Sequence, residues 1–332
     1  MKKSIYKYLI LFINKSSIMV GGQAVIEGVM MRVPGFYATA VRNPSGVIEL
    51  QRQAYEPLVE RLGLSRLPIL RGFLHLVDSM RVGFKTLDWS ASIAEEQTTS
   101  QNALVSGFMT IASIGFTIMI FMGIPYLLTD YILTGTLIKN ISINNELLFN
   151  VIAGFIRMSC FIIYLYILSK LKDIKTLFQY HGAEHKVVYN FESGKKLTID
   201  NALSFSTKHP RCGTSFVFIL MFVTILTYAV TDSFINGVFN YEFSIITRIL
   251  IHLLFLPLIA GLGYEVLKFL STKQHIFIFS ALSKPGLWLQ NITTSEPTSD
   301  QLEVSLAALI AAFGNDKIKE FEGQKYNADA IG

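Results

Sequence analysis

Four long apolar runs dominate the pattern of hydrophobic and polar residues along this chain. They cover residues 103–128, 147–169, 215–231 and 245–264, and the third could extend to about residue 238. A bilayer core about 30 Å thick is crossed by roughly 20 apolar residues in a helix. Each run therefore predicts a transmembrane helix.

The residues before the first run show shorter periods that are typical of a folded α+β segment. In "ATAVRNPSGVIELQ", apolar and polar residues alternate around a turn sequence, which predicts a β-hairpin at about residues 38–53. Between residues 66 and 93, apolar residues recur every three or four positions and predict an amphipathic helix. The stretch "MKKSIYKYLILFINKSSIMV" lacks a signal-peptide cleavage site and predicts a segment that lies on a membrane surface.

The C-terminal region predicts one more helix outside the membrane. Pro297 ends an extended stretch, and Asp300 with Glu303 three residues later has the spacing of a capping box. The apolar positions that follow predict a helix to about residue 313, and Trp288 before it suits a bilayer interface.

The predicted fold is an α-helical polytopic membrane protein with about four transmembrane helices and a small α+β cytoplasmic domain. That domain is expected to consist of the N-terminal segment, completed by the C-terminal helix. The expected parts are the N-terminal segment 1–102, two spans in 103–169, a loop at 170–214, two spans in 215–264 and the C-terminal segment 265–332.

Composition supports the membrane assignment, and charge gives it an orientation. Hydrophobic residues make up 51% of the chain and charged residues 16%, which is unusual for a soluble protein. Residues 1–102 contain twelve lysines and arginines and 170–214 contain eight, whereas 129–146 contain one and 232–244 none. Because basic loops stay in the cytoplasm, both termini and the central loop are predicted to be cytoplasmic.

This orientation also limits the expected partners. The net charge of +5 faces anionic lipids, so the lipid bilayer is the expected partner and nucleic acid is not. Cys160 and Cys212 are the two cysteines, and they offer no disulfide framework. Assembly into a homo-oligomer stays open.

The central loop concentrates side chains that can bind a metal ion. If residues 173–190 form a helix, His181, Glu184 and His185 project from one face within about 100° of arc. Two imidazoles at this spacing can hold one divalent cation. Glu184 can either join the ligands or take a proton from bound water.

The segment "KHPRCGTSF" adds His209 and Cys212 to these candidate ligands. The combined nitrogen and sulfur set favours zinc, with iron or manganese as weaker alternatives. Three of the six histidines and one of the two cysteines then fall on one predicted face of the membrane.

Cys212 also suits a second chemistry that needs no metal. It precedes the third apolar run, and amides at the start of a helix lower the pKa of a thiol. Cys212 would then be a nucleophile in acyl transfer, with His209 or His185 as base and Glu184 orienting that base. The same amides together with Arg211 could instead hold a phosphate headgroup.

Other candidates lie outside the central loop. "GGQAVIEGVMMR" combines glycines with Gln23, Glu27 and Arg32. Glu27 is either a ligand or a partner of Arg32 at a site, or a surface acid on a glycine-kinked strand, and its chemistry favours the strand. Glu192 and Glu265 are further acids that could reach the metal ligands.

Arg157 lies near the middle of the second apolar run, and no acid lies at matching depth in the other runs. An isolated charge is costly there, so it usually faces a partner or a water-filled cavity. Arg157 could bind a substrate carboxylate or phosphate, or it could snorkel toward an end of the helix.

Four motifs in order resemble the YqhQ-like family of bacterial inner-membrane proteins. They are "GGQAVIEGVMMR", "YHGAEHK", "HPRCGTSF" and "PGLWLQNITTSEPTSDQLEVSLAAL", and the resemblance covers roughly residues 18–313. It implies an inner-membrane protein of unassigned function, for which a metal-dependent enzyme has been suggested from its motifs. It also gives weight to the N-terminal and C-terminal motifs.

The order H-x-x-E-H is similar to that of inverzincin metallopeptidases, in which the glutamate is the base. Only these three positions match, so the similarity is one of chemistry and not of ancestry.

The sequence therefore predicts a zinc-dependent hydrolase that acts at the cytoplasmic face on a peptide or lipid-linked substrate. Zinc would be held by His181, His185 and one of His209 or Cys212, with Glu184 as base. Two alternatives stay open: a scaffold or transport component with a structural zinc site, and a Cys-dependent acyl-transfer enzyme.

Overall fold

The structure is a computed structural model, and it describes residues 20–95, 103–134, 146–272 and 277–321. These residues are mostly helical, with a small antiparallel sheet near the N-terminus. The membrane-surface segment predicted for residues 1–20 lies outside the described residues, apart from Val20.

The sheet has four antiparallel strands that pair in chain order. They are β1 (Gly21–Val25), β2 (Gly28–Val33), β3 (Phe36–Arg42) and β4 (Ile48–Ala54). The predicted hairpin at residues 38–53 corresponds to β3 and β4. Its turn is closed by the Asn43 side chain, which accepts a hydrogen bond from the Val47 amide at 2.9 Å, and Gly46 supplies a φ of +86°.

The helices follow in chain order, and a π-helical turn at Met119–Gly123 joins the third to the fourth. They are α1 (Leu58–Arg61), α2 (Leu70–Ala94), α3 (Ala103–Ile118), α4 (Ile124–Thr134), α5 (Glu146–Leu168), α6 (Lys172–Ser193), α7 (Ile199–Leu203), α8 (Gly213–Phe239), α9 (Ile245–Leu254), α10 (Leu256–Thr272), α11 (Phe277–Thr293), α12 (Ser299–Phe313) and α13 (Asn315–Phe321).

Three stretches are long and apolar enough to cross a membrane: Gly107–Leu133, Glu146–Leu168 and Phe216–Phe239. A fourth would be formed by α9 and α10, which meet at a bend of 54°. The positions agree with the four predicted runs, but the first extends further than predicted, and the third reaches Phe239, close to its possible extension to about residue 238. The fourth is broken where α9 ends, whereas the sequence predicts it as continuous.

The predicted helix at residues 66–93 is α2, and it begins later than the periodicity indicates. Ile69 has a φ of +63°, and the Leu70 amide donates to the Pro68 carbonyl at 2.6 Å. This tight turn cannot continue into a helix, so α2 starts at Leu70. The predicted helix at residues 173–190 is α6. It ends at Ser193 and is followed by Gly194, whose φ is +71°.

The predicted capping box of the C-terminal helix is wrong by two residues. The N-cap of α12 is Thr298, whose hydroxyl accepts from the Gln301 amide, and the Gln301 side chain accepts from the Thr298 amide. Asp300 therefore lies inside the first turn. Both residue pairs have the spacing of a capping box, and the chain leaves its extended conformation at the earlier pair.

The sheet lies between two layers of helices. Alternate residues of each strand face opposite sides of the sheet, so each layer packs on its own set of side chains. On one side, β2 and β3 pack with α6 and α12 in a core that includes Val29, Met31, Ala40, Ala183, Val187, Leu302 and Leu309. On the other side, Met30 and Tyr37 contact Val82 of α2. The C-terminal helix thus completes the N-terminal sheet and places α6 beside β1.

Candidate metal centre

Two histidines of α6 and a cysteine at the start of α8 bring their ligand atoms together. A ring nitrogen of His181, one of His185 and the Cys212 sulfur all lie within 4.8 Å of one another. The histidines are one turn apart on α6, so the helix places both rings on one side, with centroids 4.5 Å apart. Cys212 is the N-cap residue of α8. Within the described residues, this is the group whose geometry suits a metal ion.

Each histidine is held by a backbone carbonyl through its other ring nitrogen. His181 Nδ1 lies 2.8 Å from the Thr293 carbonyl oxygen, and His185 Nδ1 lies 2.5 Å from that of Thr207. A carbonyl only accepts, so each Nδ1 carries the ring proton and donates it. In a neutral ring of this tautomer Nε2 carries no proton, which is the state that a metal ligand requires.

The Cys212 sulfur is close to one of these free nitrogens. Sγ lies 3.2 Å from His181 Nε2, and the Thr214 hydroxyl donates to it at 3.3 Å. Cys212 is the N-cap residue of α8, so its side chain lies at the positive end of the helix dipole. The thiolate is the form that binds metals and attacks electrophiles.

Gly182, between the two histidines, allows α6 to approach the segment after α11. A β-carbon on Gly182 would come within 2.1 Å of the Ser295 carbonyl oxygen. The Ser295 amide also donates to the Phe178 carbonyl at 2.9 Å, which ties the two segments at a second point. This close approach brings the Thr293 carbonyl against His181.

Glu184 is a buried acid beside this cluster of His181, His185 and Cys212. Its side chain is 7% exposed, and Oε2 lies 3.5 Å from His185 Nε2. Burial raises the pKa of the Glu184 carboxyl, while the nearby His181 ring and the Gly22 N–H act against that rise. Glu184 therefore takes up a proton more readily than an exposed glutamate does.

His209, the other predicted ligand, belongs to the layer around the cluster. Its Nδ1 accepts from the Arg211 amide at 3.3 Å, and its Nε2 lies 3.7 Å from Glu192 Oε2. Arg211, which the sequence suggested as a phosphate-binding residue, forms an ion pair with Glu192. Burial lowers the pKa of His209 and of His185, which favours their neutral forms near neutral pH.

Gln290 of α11 fixes the segment that carries His209. The Gln290 side chain donates to the His209 carbonyl at 2.9 Å and accepts from the His209 amide at 2.8 Å. Sequence reasoning missed Gln290 and the carbonyls of Thr207 and Thr293. Backbone carbonyls carry no residue-type signal, so no motif search could have found the last two.

The candidates in "GGQAVIEGVMMR" lie on the hairpin of β1 and β2. Gln23 packs against α2. Glu27 is exposed in the turn, with a φ of +49°, and accepts a hydrogen bond from Tyr180 at 3.3 Å. Arg32 donates to the Tyr55 hydroxyl at 3.3 Å, so Glu27 and Arg32 have different partners.

Two other predicted candidates lie outside the cluster. Glu265 pairs with Arg71 of α2 through two hydrogen bonds of 2.7 and 2.5 Å. Arg157 donates to the Phe121 carbonyl at 2.7 Å and to the Tyr126 hydroxyl at 2.9 Å. Because both partners lie beside the middle of α5, the Arg157 side chain does not extend toward a helix end.

The cluster fits zinc better than a hard cation. Zn–N bonds of about 2.0–2.1 Å and Zn–S bonds of about 2.3 Å place the ligand atoms of a tetrahedral ion roughly 3.3–3.6 Å apart. The 3.2 Å from His181 Nε2 to Cys212 Sγ is close to this spacing, and all three ligand atoms lie within 4.8 Å of one another. Calcium and magnesium prefer oxygen ligands, whereas nitrogen with sulfur suits zinc.

The fold and the cluster define a mostly helical protein whose three or four apolar helices are compatible with a multi-pass membrane protein. The chain belongs to the family described as "Protein of unknown function (DUF1385)", whose model matches residues 67–315. It is 29% identical over 297 residues to "Uncharacterized protein YqhQ" of Bacillus subtilis (strain 168), with 86% of this chain and 89% of that protein covered. The resemblance to the YqhQ-like family is thereby confirmed. No solved structure matches the chain.

Proposed function

We propose that this chain is a multi-pass membrane protein that binds zinc at its cytoplasmic face and hydrolyses a peptide or lipid-linked substrate there. The observation that carries the proposal is the arrangement of His181, His185 and Cys212, whose ligand atoms converge within 4.8 Å. Both imidazoles are already oriented by backbone carbonyls. Such outer partners fix the tautomer and direction of histidine ligands in metal sites.

The membrane placement rests on the apolar helices and on the distribution of basic residues. Lysine and arginine are concentrated in segments 1–102 and 170–214. These segments adjoin the N-terminal ends of the first and third candidate spans and the C-terminal end of the second. By the positive-inside rule, these ends lie in the cytoplasm, and the cluster lies with them at the start of α8. Similarity to the family points to the bacterial inner membrane.

The number of protein ligands favours a catalytic site over a structural one. Structural zinc sites are usually closed by four protein ligands, whereas catalytic sites have three and keep one position for water or substrate. Three ligand atoms converge here, and His209 faces Arg211 and Glu192 instead. Glu184 then supplies the proton acceptor that hydrolysis needs.

Zinc bound at the cluster would supply a Lewis acid that polarises the carbonyl or phosphoryl group under attack. Glu184 would accept a proton from the attacking water as the new bond to oxygen forms. It would return that proton to the leaving group as the scissile bond breaks. His181 and His185 would keep their positions through their carbonyl partners.

The position of the cluster supports a substrate that lies at the membrane surface. Cys212 lies one helical turn, or about 6 Å, before Phe216, where the apolar span of α8 begins. A reacting group at the cluster would therefore be next to the hydrocarbon boundary. Lipid-linked compounds and membrane-anchored peptides place their polar groups at this depth.

Metal analysis of the purified full-length protein tests the zinc site. Protein prepared without chelators should contain about one zinc per chain, as expected for a mononuclear site. His181→Ala and His185→Ala should each remove most of it. His75→Ala is the matched control, because His75 stacks on Tyr264 outside the cluster. Folded wild-type protein without a transition metal would overturn the proposal.

Glu184→Gln separates the catalytic reading from the structural one. The variant should keep its zinc and its fold but lose hydrolysis, because the amide cannot accept the proton. Lipid and peptide extracts of a deletion strain carrying either wild type or Glu184→Gln provide the readout. Equal extracts from the two strains, with zinc retained in both, would assign the site to a structural role.

The contacts of Cys212 favour one second candidate, a metal-free acyl-transfer enzyme. His181 Nε2 is positioned to accept the thiol proton, and the Thr293 carbonyl orients that ring. The base would then be His181, whereas the sequence suggested His209 or His185. In this case Sγ forms the acyl bond and the leaving group departs with the proton from His181.

A thiol reagent distinguishes the two candidates. If Cys212 is a free nucleophile, wild-type protein should react with iodoacetamide near neutral pH, and Cys212→Ser should abolish this reaction without changing the metal content. If Cys212 is a zinc ligand, the bound zinc should protect the thiol, and Cys212→Ser should weaken zinc binding.

A further inference from the structure

A second group of polar side chains lies inside the apolar helices, at the end opposite the cluster. Charged residues within apolar helices are costly, and they commonly mark ion or proton sites. The group consists of Tyr126 from α4, Glu146, Asn150 and Arg157 from α5, Tyr228 and Asp232 from α8, and Arg248 and His252 from α9.

Asp232 is the central acceptor of this group. Its side chain is completely buried, at 0% exposure. Its Oδ2 accepts from the Asn150 amide at 2.8 Å and from Arg248, and its Oδ1 lies 2.8 Å from His252 Nε2. Asp232 thereby connects α8 to both α5 and α9.

The hydrogen bonds between Arg157 and Asp232 run in one direction. Arg157 can only donate, so the Tyr126 hydroxyl oxygen accepts from it at 2.9 Å. The Asp232 carboxylate only accepts, so a neutral His252 ring has its proton on Nε2 and donates it to Asp232. His252 Nδ1 is then an acceptor, and the Tyr126 hydroxyl donates to it.

The His252 ring is fixed in this position by Tyr228. The two rings are stacked, with centroids 3.6 Å apart and an interplanar angle of 5°. The Tyr228 hydroxyl also donates to the His252 carbonyl at 3.1 Å. These contacts hold the His252 ring so that Nδ1 faces Tyr126 and Nε2 faces Asp232. The ring can therefore change its protonation state without rotating.

Two breaks in the apolar helices adjoin the same group. The π-helical turn at Met119–Gly123 presents the Phe121 carbonyl to Arg157, which donates to it at 2.7 Å. The bend of 54° between α9 and α10 follows His252 by two residues. π-helical turns and broken membrane helices recur at functional sites, where the freed backbone groups take part in binding.

We propose that Asp232, His252 and Tyr126 form a proton-binding site within the apolar helices, with a single proton as the ligand. The proton adds to His252 Nδ1, and the charged ring remains paired with Asp232. The Tyr126 hydroxyl oxygen then accepts from Nδ1 as well as from Arg157. Proton binding thus reverses the hydrogen bond that joins α4 to α9.

The charges that face His252 make this uptake depend on one acid. Asp232 faces the ring from α8, Arg248 from α9 and Arg157 from α5, and Glu146 of α5 pairs with Arg248 at 2.7 Å. With a neutral ring the two acids balance the two arginines. A protonated ring needs the carboxylate at 2.8 Å, because both arginines repel it.

The proton site and the metal cluster occupy opposite ends of α8. Cys212 caps its N-terminus, and Asp232 lies about 30 Å further along the helix. Glu146, at the first residue of α5, lies at the same end as Asp232. The site is therefore placed to take protons from the side of the membrane opposite the cluster. Proton binding at this site requires neither zinc at the cluster nor hydrolysis.

Nuclear magnetic resonance of the histidine rings tests the proposal on the full-length protein in detergent micelles. Protein with nitrogen-labelled histidine is titrated from alkaline to acidic pH, and the His252 signals are assigned from their loss in His252→Gln. We expect a reversible titration of the His252 ring while the protein stays folded. A ring that keeps one protonation state over the whole range of folded protein would overturn the proposal.

Variants then show whether the proton is shared as proposed. Asp232→Asn should weaken proton binding by His252 at least about ten-fold, since an opposite charge at this distance typically changes proton affinity by one to three orders of magnitude. Tyr126→Phe retains the carboxylate and should leave the ring able to titrate. An unchanged titration in folded Asp232→Asn would overturn the site. If that variant does not fold, Asp232→Glu, which keeps the charge and moves it, should shift the titration, and no shift would equally overturn it.

Discussion

Gly22 of β1 and Glu184 of α6 are in direct contact. A β-carbon on Gly22 would come within 2.8 Å of Glu184 Cγ and within 2.5 Å of the Met30 carbonyl oxygen. The Gly22 N–H also faces the Glu184 carboxyl group and acts to lower its pKa against the effect of burial. The N-terminal hairpin therefore covers the buried acid beside the metal cluster, which gives its glycine pair a defined structural role.

Gly22→Ala should disturb Glu184 more than it disturbs the metal ligands. One of the two close neighbours is backbone and cannot move away, and overpacking of this kind typically costs about 1–3 kcal/mol. We expect a lower unfolding temperature and lost hydrolysis with zinc retained. Gly21→Ala is the control, because a β-carbon there meets nothing within 4 Å. Equal unfolding temperatures of the two variants would contradict the contact.

Gly182→Ala should act on the metal ligands themselves. The added β-carbon would meet the Ser295 carbonyl at 2.1 Å, so α6 and the segment after α11 must separate. That separation would remove the Thr293 carbonyl from His181 Nδ1 and release the ring. We expect weaker zinc binding in a competition with a chromogenic chelator. Gly213→Ala, where a β-carbon meets nothing within 4 Å, should bind zinc like wild type.

The local part of this site is predictable from the sequence. His181 and His185 share a helical face because their spacing is four residues, and α6 forms over the length that its residues predict. The hairpin of β3 and β4 is predictable for the same reason, since its alternation and turn residues are local. Local periodicity fixes which side chains share a face.

The tertiary part of the site is not predictable in this way. The Thr293 carbonyl lies 112 residues from His181 in the chain, and Gly22 lies 162 residues before Glu184. Neither contact leaves a periodic or residue-type signal. They result from the packing of β1 and α11 on α6, which one sequence does not encode in any short motif.

The polar group around Asp232 was missed for a related reason. The third predicted run covers residues 215–231 with a possible extension to about residue 238, so Asp232 falls where a polar residue resembles the end of a span. In the structure α8 continues to Phe239, since Asp232 finds donors on Asn150 and His252. A buried polar residue and a helix end look alike until the neighbouring helices are known.

Gln290→Ala should loosen the segment that leads to Cys212. It would remove both side-chain hydrogen bonds to the His209 backbone and leave the buried His209 amide unsatisfied, at about 1–3 kcal/mol, while the His209 carbonyl would keep the Cys212 amide as its donor. We expect a lower unfolding temperature together with weaker zinc binding. Asn291→Ala, which removes an exposed side chain from the same helix, is the matched control. Unchanged zinc affinity in Gln290→Ala would show that the segment holds Cys212 without this residue.

Acid should weaken the fold through His75. Burial lowers the pKa of His75 from its ordinary value of 6.5, and the charges of Arg32, Lys268 and Arg71 act in the same direction. The unfolded chain then binds the proton more readily than the folded one, so this contribution to stability is present above about pH 6.5 and lost below it. We expect the unfolding temperature to fall between about pH 8 and pH 5.5, and to fall less in His75→Gln. Ser79→Ala on the same helix adds no titrating group and should follow wild type. An identical pH dependence in wild type and His75→Gln would show that the folded and unfolded states bind this proton equally.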